Sequence, residues 1–297
     1  MRPELTQAIG LLRSNSPESI EQAIGLLQNT VYSFSMKVCG HREDAEDTMQ
    51  EVLYRSLQYL SSIKEPRALA VWLYTVTRNR CWRMRRTTAR GPKQLSLDEL
   101  MPDDAEMARL LKDPSPGPEG NLLRGEQRDL LRRAVLRIPP QLRMVLVLHD
   151  MEELDTEEVA QILALQPGTV RVRLHRARLS VRKEISKSLN ATARPEKASK
   201  PRPRTLRHAR PHRPASCREL FSNLSEYLDG RVEPGTCAEM SAHIDSCPSC
   251  IAFLNDLRAA IDRCRSLQVD CDPAILERLR ATLTREYLHL VGQPEKK

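Results

Sequence analysis

Four residues near the C-terminal end of the chain have the types and spacing of a metal site. Cys217, His243, Cys247 and Cys250 read Cys-x25-His-x3-Cys-x2-Cys. His243 and Cys247 stand one helical turn apart, and Cys247-Pro248-Ser249-Cys250 is a tight knuckle, so all four can converge on one tetrahedral ion. Four nitrogen and sulfur ligands leave no open position, which implies structural rather than catalytic zinc; four thiol and imidazole groups without metal is the other reading. Thr236 and Glu239 have the spacing of a capping box at the start of the helix carrying His243. Cys237 is an extra thiol beside the site. Cys264 falls on the stripe of Leu254, Leu257 and Ile261, where a thiol behaves as a small core residue.

A second chemistry is electrostatic. Thr169-Val170-Arg171-Val172-Arg173-Leu174-His175-Arg176-Ala177-Arg178 places Val170, Leu174, Ala177 and Val181 on an inward stripe and Arg171, Arg173, Arg176 and Arg178 outward. Arginine suits both phosphates and guanine edges. The preceding segment must hold this helix: Asp155 and Glu158 form a capping pair, Val159, Ile162 and Leu163 an inner face, and Gln166-Pro167-Gly168 a tight turn. Short helix, turn and basic helix make a helix-turn-helix, whose second helix enters a major groove.

Two earlier helices carry other patterns. Ala45, Met49, Val52, Leu53, Leu57 and Leu60 mark one buried face, while Asp47, Gln50, Glu51 and Tyr54 form a separate polar ridge at i, i+3, i+4 and i+7. From periodicity alone that ridge is equally a solvated face. In the next helix Leu69, Trp72, Leu73 and Val76 supply the expected buried stripe, and Thr75, Arg78, Asn79, Trp82 and Arg86 share another face. Cations interleaved with a ring and an amide suit unpaired nucleic acid, where bases stack on flat groups and phosphates meet arginines.

These segments together resemble the extracytoplasmic-function sigma factors of RNA polymerase. Asp44-Ala45-Glu46-Asp47 with Gln50-Glu51, then Trp72-Leu73-Tyr74 and Arg78-Asn79, looks like region 2 of that family. Ile138-Pro139-Pro140-Gln141-Leu142-Arg143, Glu158-Val159-Ala160 and Gly168-Thr169-Val170 through His175-Arg176-Ala177-Arg178 look like region 4. The resemblance implies that Asp47, Gln50 and Glu51 contact core polymerase. It implies that Arg78, Asn79, Arg83, Arg85 and Arg86 face the −10 element, and that Thr169, Arg171, Arg173, Arg176 and Arg178 serve the −35 element. Many members carry a Phe-Arg-Gly segment where this chain has Ile63-Lys64-Glu65-Pro66-Arg67, so the base-capturing loop is the least transferable part. The cysteine segment resembles the zinc-binding anti-sigma domains, with their Tyr-Leu-Asp-Gly signature intact as Tyr227-Leu228-Asp229-Gly230. Members usually occupy a separate protein; fusion to the sigma-like regions is a departure.

The composition frames this reading. Of 297 residues, 40% are hydrophobic, 29% charged and only 4% aromatic, which favours helices. The net charge is +8, and the Pro-rich run from Asn190 to Ala215 concentrates it: Arg194, Lys197, Lys200, Arg202, Arg204, Arg207, Arg210 and Arg213 are opposed only by Glu196. Such a run is drawn to polyanions or stays an extended, self-repelling linker. Glu4, Arg13 and Glu18 interrupt any apolar leader, and no apolar run approaches a membrane span. A cytoplasmic protein is expected, where eight cysteines mean thiols or metal ligands rather than disulfides.

The expected fold class is all-α. A region 2 bundle occupies 1–90, a flexible connector rich in proline 91–120, a region 4 helix-turn-helix 121–190, a basic linker 191–215, and a small helical zinc-binding domain 216–297. No phosphate loop or nucleophile constellation marks an enzyme in the first two domains. The resemblance implies a sigma factor that binds core RNA polymerase and promoter DNA, without a membrane partner, and directs initiation. A helix-turn-helix regulator independent of polymerase, which leaves the Asp47–Glu51 ridge idle, is the alternative, and a zinc-dependent anti-sigma protein would leave both DNA-binding elements idle. The zinc module either folds back on the sigma regions and restrains them until zinc loss or thiol oxidation, or scaffolds polymerase or another partner.

Overall fold

The computed structural model describes residues 2–14, 16–60, 62–85, 94–112, 125–192 and 215–291. Every regular element among them is helical, and they fall into two compact units.

The first unit combines residues 1–92, 139–170 and 266–297. Its framework is α1 (Pro3–Ser14), α2 (Pro17–Cys39), α3 (Arg42–Leu60) and α4 (Pro66–Arg85). The start of α2 is fixed by Ser16, whose hydroxyl accepts from the Ser19 amide, with Pro17 at the first helical position. Its end is fixed by Gly40 at φ 83, whose amide donates to Met36 O. Between these caps Ile20, Ile24, Leu27, Val31 and Phe34 are all buried. They make α2 the axis against which α1, α3 and α4 pack.

The same unit holds α8 (Pro140–Leu146), a π-helical turn Val147–Met151, α9 (Thr156–Leu163) and α14 (Pro273–Val291). The Asp155–Glu158 box is complete at α9. The Glu158 amide donates to Asp155 Oδ1 at 2.8 Å, and the Asp155 amide to Glu158 Oε2 at 2.9 Å. Helix α14 lies on α2 and α3.

The second unit spans 93–138 and 171–265. It contains α5 (Leu97–Leu100), α6 (Asp104–Lys112), α7 (Gly125–Arg137), most of α10 (Pro167–Thr192), α11 (Ala215–Leu228), α12 (Pro234–Ser246) and α13 (Pro248–Arg265). Leu220, Leu224, Met240, Ile244, Phe253, Leu254, Leu257 and Ile261 share an apolar cluster with Leu100 and Leu179.

Two sequence expectations change here. The stretch read as a flexible connector over 91–120 is partly folded. A complete Ser96–Glu99 capping box starts α5, and Leu95, Leu97, Met101, Met107 and Leu110 pack on the apolar cluster. Proline and acidic residues hid that spacing. The helix bearing His243 begins at Pro234, with Glu233 as its cap residue and no side-chain cap, so Thr236 and Glu239 form no capping box. Proline, with φ preset and no N–H to satisfy, starts the helix three residues earlier than that box would.

Candidate functional site

The ridge of α3 stands as the spacing predicts. Ala45, Met49, Val52, Leu53, Leu57 and Leu60 are buried, Asp47, Gln50 and Tyr54 are exposed, and Glu51 is half-buried. Glu51 forms ion pairs with Arg55 at 2.9 Å and with Arg80 of α4 at 2.6 Å. Asp47, Gln50, Glu51 and Tyr54 form one wall of a groove of about 380 Å³, with Leu279 and Leu283 of α14 opposite. Helix α14 is seated beside this groove by Leu283, 1% exposed, and by Gln28 Nε2, which donates to Leu276 O at 3.2 Å.

On α4 the buried stripe is rotated from the expected one. Leu69, Leu73, Tyr74, Thr77 and Cys81 are buried, while Trp72 and Val76 are only half-buried. The opposite face carries Thr75, Asn79 (exposed) and Trp82 (42% exposed). Arg78 is half-buried, and desolvation lowers its pKa from the usual arginine value. Arg83 and Arg85 lie on the last turn of α4 with side chains outside the described residues, and Arg86 lies outside them altogether.

The basic helix α10 departs most from expectation. Thr169 and Arg171 are exposed, and Arg173 and Arg176 half-exposed. Arg178, expected on the outer face, is fully buried. Its guanidinium forks onto Asp229, with Nη2 to Oδ1 at 2.8 Å and Nη1 to Oδ2 at 3.0 Å, and Nη1 also donates to Ser225 O at 3.2 Å. Arg182, 1% exposed, pairs with Asp256 and Glu106, each at 2.9 Å, and lies 4.8 Å over the Phe253 ring. Arg171 approaches Glu226 at 3.9 Å. His175 Nδ1 sits 3.3 Å from Ser225 Oγ, and burial, with Arg178 and Arg176 nearby, pushes its pKa down to about 4. Asp229 belongs to the Tyr227–Gly230 signature, so that signature meets the basic helix directly. The physical reason is periodicity: His175, Arg178 and Arg182 recur at i, i+3 and i+7 and form a second inward stripe beside Leu174 and Val181.

At the metal-type cluster, donor atoms of His243, Cys247 and Cys250 all lie within 4.8 Å of one another, and His243 Nε2 is 3.4 Å from Cys250 Sγ. Tetrahedral zinc with Zn–S of about 2.3 Å and Zn–N of about 2.0 Å requires donors roughly 3.5–3.8 Å apart. Three of the four residues therefore fit one ion. Cys217 lies on α11, its side chain outside the described residues. Cys237 is half-buried and outside the cluster, and Cys264 is fully buried in the core of α13, as its stripe position implies.

The described residues thus hold a helical bundle with an acid–amide ridge, a short helix leading by a tight turn into a basic helix, and a Cys/His cluster. Family comparison agrees along the chain: "Sigma-70 region 2" matches residues 24–91, "Sigma-70, region 4" residues 128–181, and "Putative zinc-finger" residues 217–250. The ECF RNA polymerase sigma-E factor of Escherichia coli K12 is 30% identical over 142 residues, covering 48% of this chain and 74% of that protein. The sigma-E factor of Salmonella typhimurium LT2 shows the same identity and coverage. The protein named "Probable RNA polymerase sigma factor RfaY" of Xanthomonas campestris pv. campestris is 30% identical over 179 residues, 59% of this chain but 43% of that protein. The chain belongs to the sigma-70 family of RNA polymerase sigma factors, in its extracytoplasmic-function branch, and carries a zinc-finger-type module. Among the described residues no helix is long and apolar enough to cross a membrane.

Proposed function

We propose that this sigma factor binds core RNA polymerase through Asp47, Gln50 and Glu51 and directs initiation at promoters in the cytoplasm, under restraint by its own zinc module. Arg78, Asn79, Arg83, Arg85 and Arg86 serve the −10 element, and Thr169, Arg171, Arg173, Arg176 and Arg178 the −35 element. Structural zinc on Cys217, His243, Cys247 and Cys250 would tie α11, α12 and α13 together, so metal binding contributes directly to the fold of the module. The domain limits follow the sequence reading: region 2 over 1–90, region 4 over 121–190 and the module over 216–297.

The observation that carries the restraint is the Arg178–Asp229 fork. A guanidinium that contacts DNA must offer its N–H groups to phosphate or a guanine edge, and in this structure Asp229 and the Ser225 carbonyl occupy them. Helix α14, seated beside the ridge of α3, supports a similar restraint on polymerase docking. A scaffold role for the module would need neither contact. Run-off transcription with purified core polymerase tests the reading: the full chain is expected to support initiation, weakly until the module is displaced. A chain that binds DNA but never initiates would instead be a regulator independent of polymerase.

A further inference from the structure

The first compact unit buries polar side chains in more than one place. In one cluster Glu152 accepts from Lys37 Nζ at 2.8 Å and from the Tyr74 hydroxyl at 2.7 Å, and Arg143 donates to Val38 O at 2.6 Å. Those groups satisfy one another. Another cluster is made of thiols and hydroxyls. Cys39 is the last residue of α2 and 4% exposed; Cys81, on the buried stripe of α4, is 1% exposed. The two thiols are hydrogen-bonded to each other, and neither is in a disulfide. Ser35, one turn before Cys39 on α2, and Thr48 of α3 bring their hydroxyls to the Cys81 sulfur, and both side chains are fully buried. Three helices thus contribute small polar groups to one interior point, where serine and threonine are ordinarily scarce.

We propose that Cys39 and Cys81 form a dithiol–disulfide site inside region 2, oxidised by a hydroperoxide, whose closed form pins helix α4 to the end of α2. The effect on promoter use rests on the sigma reading above; the site itself does not. In a reducing compartment such a disulfide is transient and redox-responsive rather than structural. Cys39 is the point of entry. It ends α2 beside Gly40, at φ 83, and the exposed His41, whereas Cys81 lies within α4. Helix ends open locally at lower cost than helix centres. Once Cys39 is oxidised, its partner sulfur is already in contact.

One hydroperoxide balances the reaction. The Cys39 sulfur attacks a peroxide oxygen, the O–O bond breaks, and water or an alcohol leaves with the thiol proton, so Cys39 becomes a sulfenic acid. The Cys81 sulfur then attacks the Cys39 sulfur, the S–O bond breaks, and the hydroxyl leaves as water with the Cys81 proton. The two thiols lose two electrons, and the peroxide gains them. Cys81 suits the second role. Its hydrogen bond with Cys39, and then burial, hold its proton well above the ordinary thiol range, so it does not meet peroxide as a thiolate. The Ser35 and Thr48 hydroxyls work the other way and donate to its sulfur as charge develops there. The disulfide is uncharged, so the burial that opposes a thiolate does not oppose the product.

Hydrogen peroxide treatment of the zinc-loaded full chain, read by peptide mass spectrometry after alkylation, tests this. The peptides bearing Cys39 and Cys81 should appear as one linked species that dithiothreitol separates. Cys81→Ala should stop at a Cys39 sulfenic acid that dimedone traps. The double substitution S35A/T48V, which removes both hydroxyls, should slow linkage by about tenfold while dimedone trapping rises. In run-off transcription with purified core polymerase, the oxidised wild-type chain should lose more than half its yield and regain it with dithiothreitol. C81A, which keeps every thiol of the zinc module, should show no such reversible loss. Recovery of Cys39 and Cys81 as unlinked thiols from the wild-type chain after excess peroxide would overturn the site. Linkage without loss of yield, or an equal loss in C81A, would overturn the pinning of α4. Failure of the reduced chain to initiate at all would instead strike the sigma reading, and linkage would still decide the site.

Discussion

Replacing Asp229 with alanine is the most informative single perturbation of the restraint. Arg178 is fully buried and the Asp229 side chain 14% exposed, so the pair is largely desolvated. Removing one member of a buried pair costs about 3–5 kcal/mol, because the other charge is left uncompensated. Arg178 keeps its bond to Ser225 O, which argues for the low end. About 3 kcal/mol is roughly a hundredfold shift from the docked toward the released state. In run-off transcription from a randomised promoter library, with sigma limiting and core polymerase in excess, D229A should raise transcript yield tenfold or more, up to that limit. Arg178→Ala lifts the same mask but also deletes a proposed DNA contact worth about 1–3 kcal/mol, so its yield should fall at least fivefold short of that of D229A. That difference between the two partners is the signature of competition for one guanidinium. A D229A chain that melts like wild type and transcribes no better would refute the reasoning, and so would parallel losses in both variants.

Other outcomes follow from single contacts. Leu283→Ala removes a 1%-exposed side chain from the seat of α14, at a cost of about 2–5 kcal/mol if the helix stays docked. Core polymerase titrated against labelled chain should therefore show at least tenfold tighter binding, and unchanged affinity would free the α3 ridge from α14. His175 is held near 4 against an ordinary 6.5, so the folded form binds fewer protons than the unfolded one between those values. Its contribution is full above about pH 6.5 and is lost as pH falls toward 4. About 2 kcal/mol should be gone by pH 5, measurable by denaturant unfolding and absent in His175→Gln. Glu153 sits at φ 58, a left-handed backbone that costs a side-chain-bearing residue about 1 kcal/mol. Glu153→Gly should raise the melting temperature by about 1–3 °C, and a lower one would show that the side chain outweighs the strain.

The elements most legible in the sequence were those governed by local rules. The stripe of α2, its Ser16–Pro17 start, the Asp155–Glu158 box and the exposed Asp47–Tyr54 ridge depend on neighbours three or four residues away. What the sequence concealed depends on partners far along the chain. Arg178 reads as outward because arginine is usually solvated, yet Leu179 beside it and Arg182 one turn on are both buried. The available signal was the surplus of carboxylates in the module, at Glu226, Asp229 and Asp256, opposite a helix with surplus cations. Arg143 and Glu152 were similarly opaque. The first stood in a recognised motif with no structural partner assigned, and its acceptor is a backbone carbonyl that no composition can announce.

The nature of the mask follows from what it covers. A helix that must read DNA has to keep guanidinium groups on its working face, so an apolar cover would bury unpaired charge at prohibitive cost. A carboxylate presents two oxygens with nearly the spacing of two phosphate oxygens, and the planar fork of arginine fits either bidentately. On the proposed reading, Asp229 holds Arg178 with the same N–H groups that a promoter would use. Because those groups could not serve both at once, that reading makes promoter and module exclude each other at this point, with reciprocal coupling. Anything that strengthens the hold of the promoter on α10 must weaken docking of the module by the same free energy, and zinc-dependent order in α11 must act in the opposite sense. The acidic signature of the module is then a device that can be displaced without altering the surface it protects.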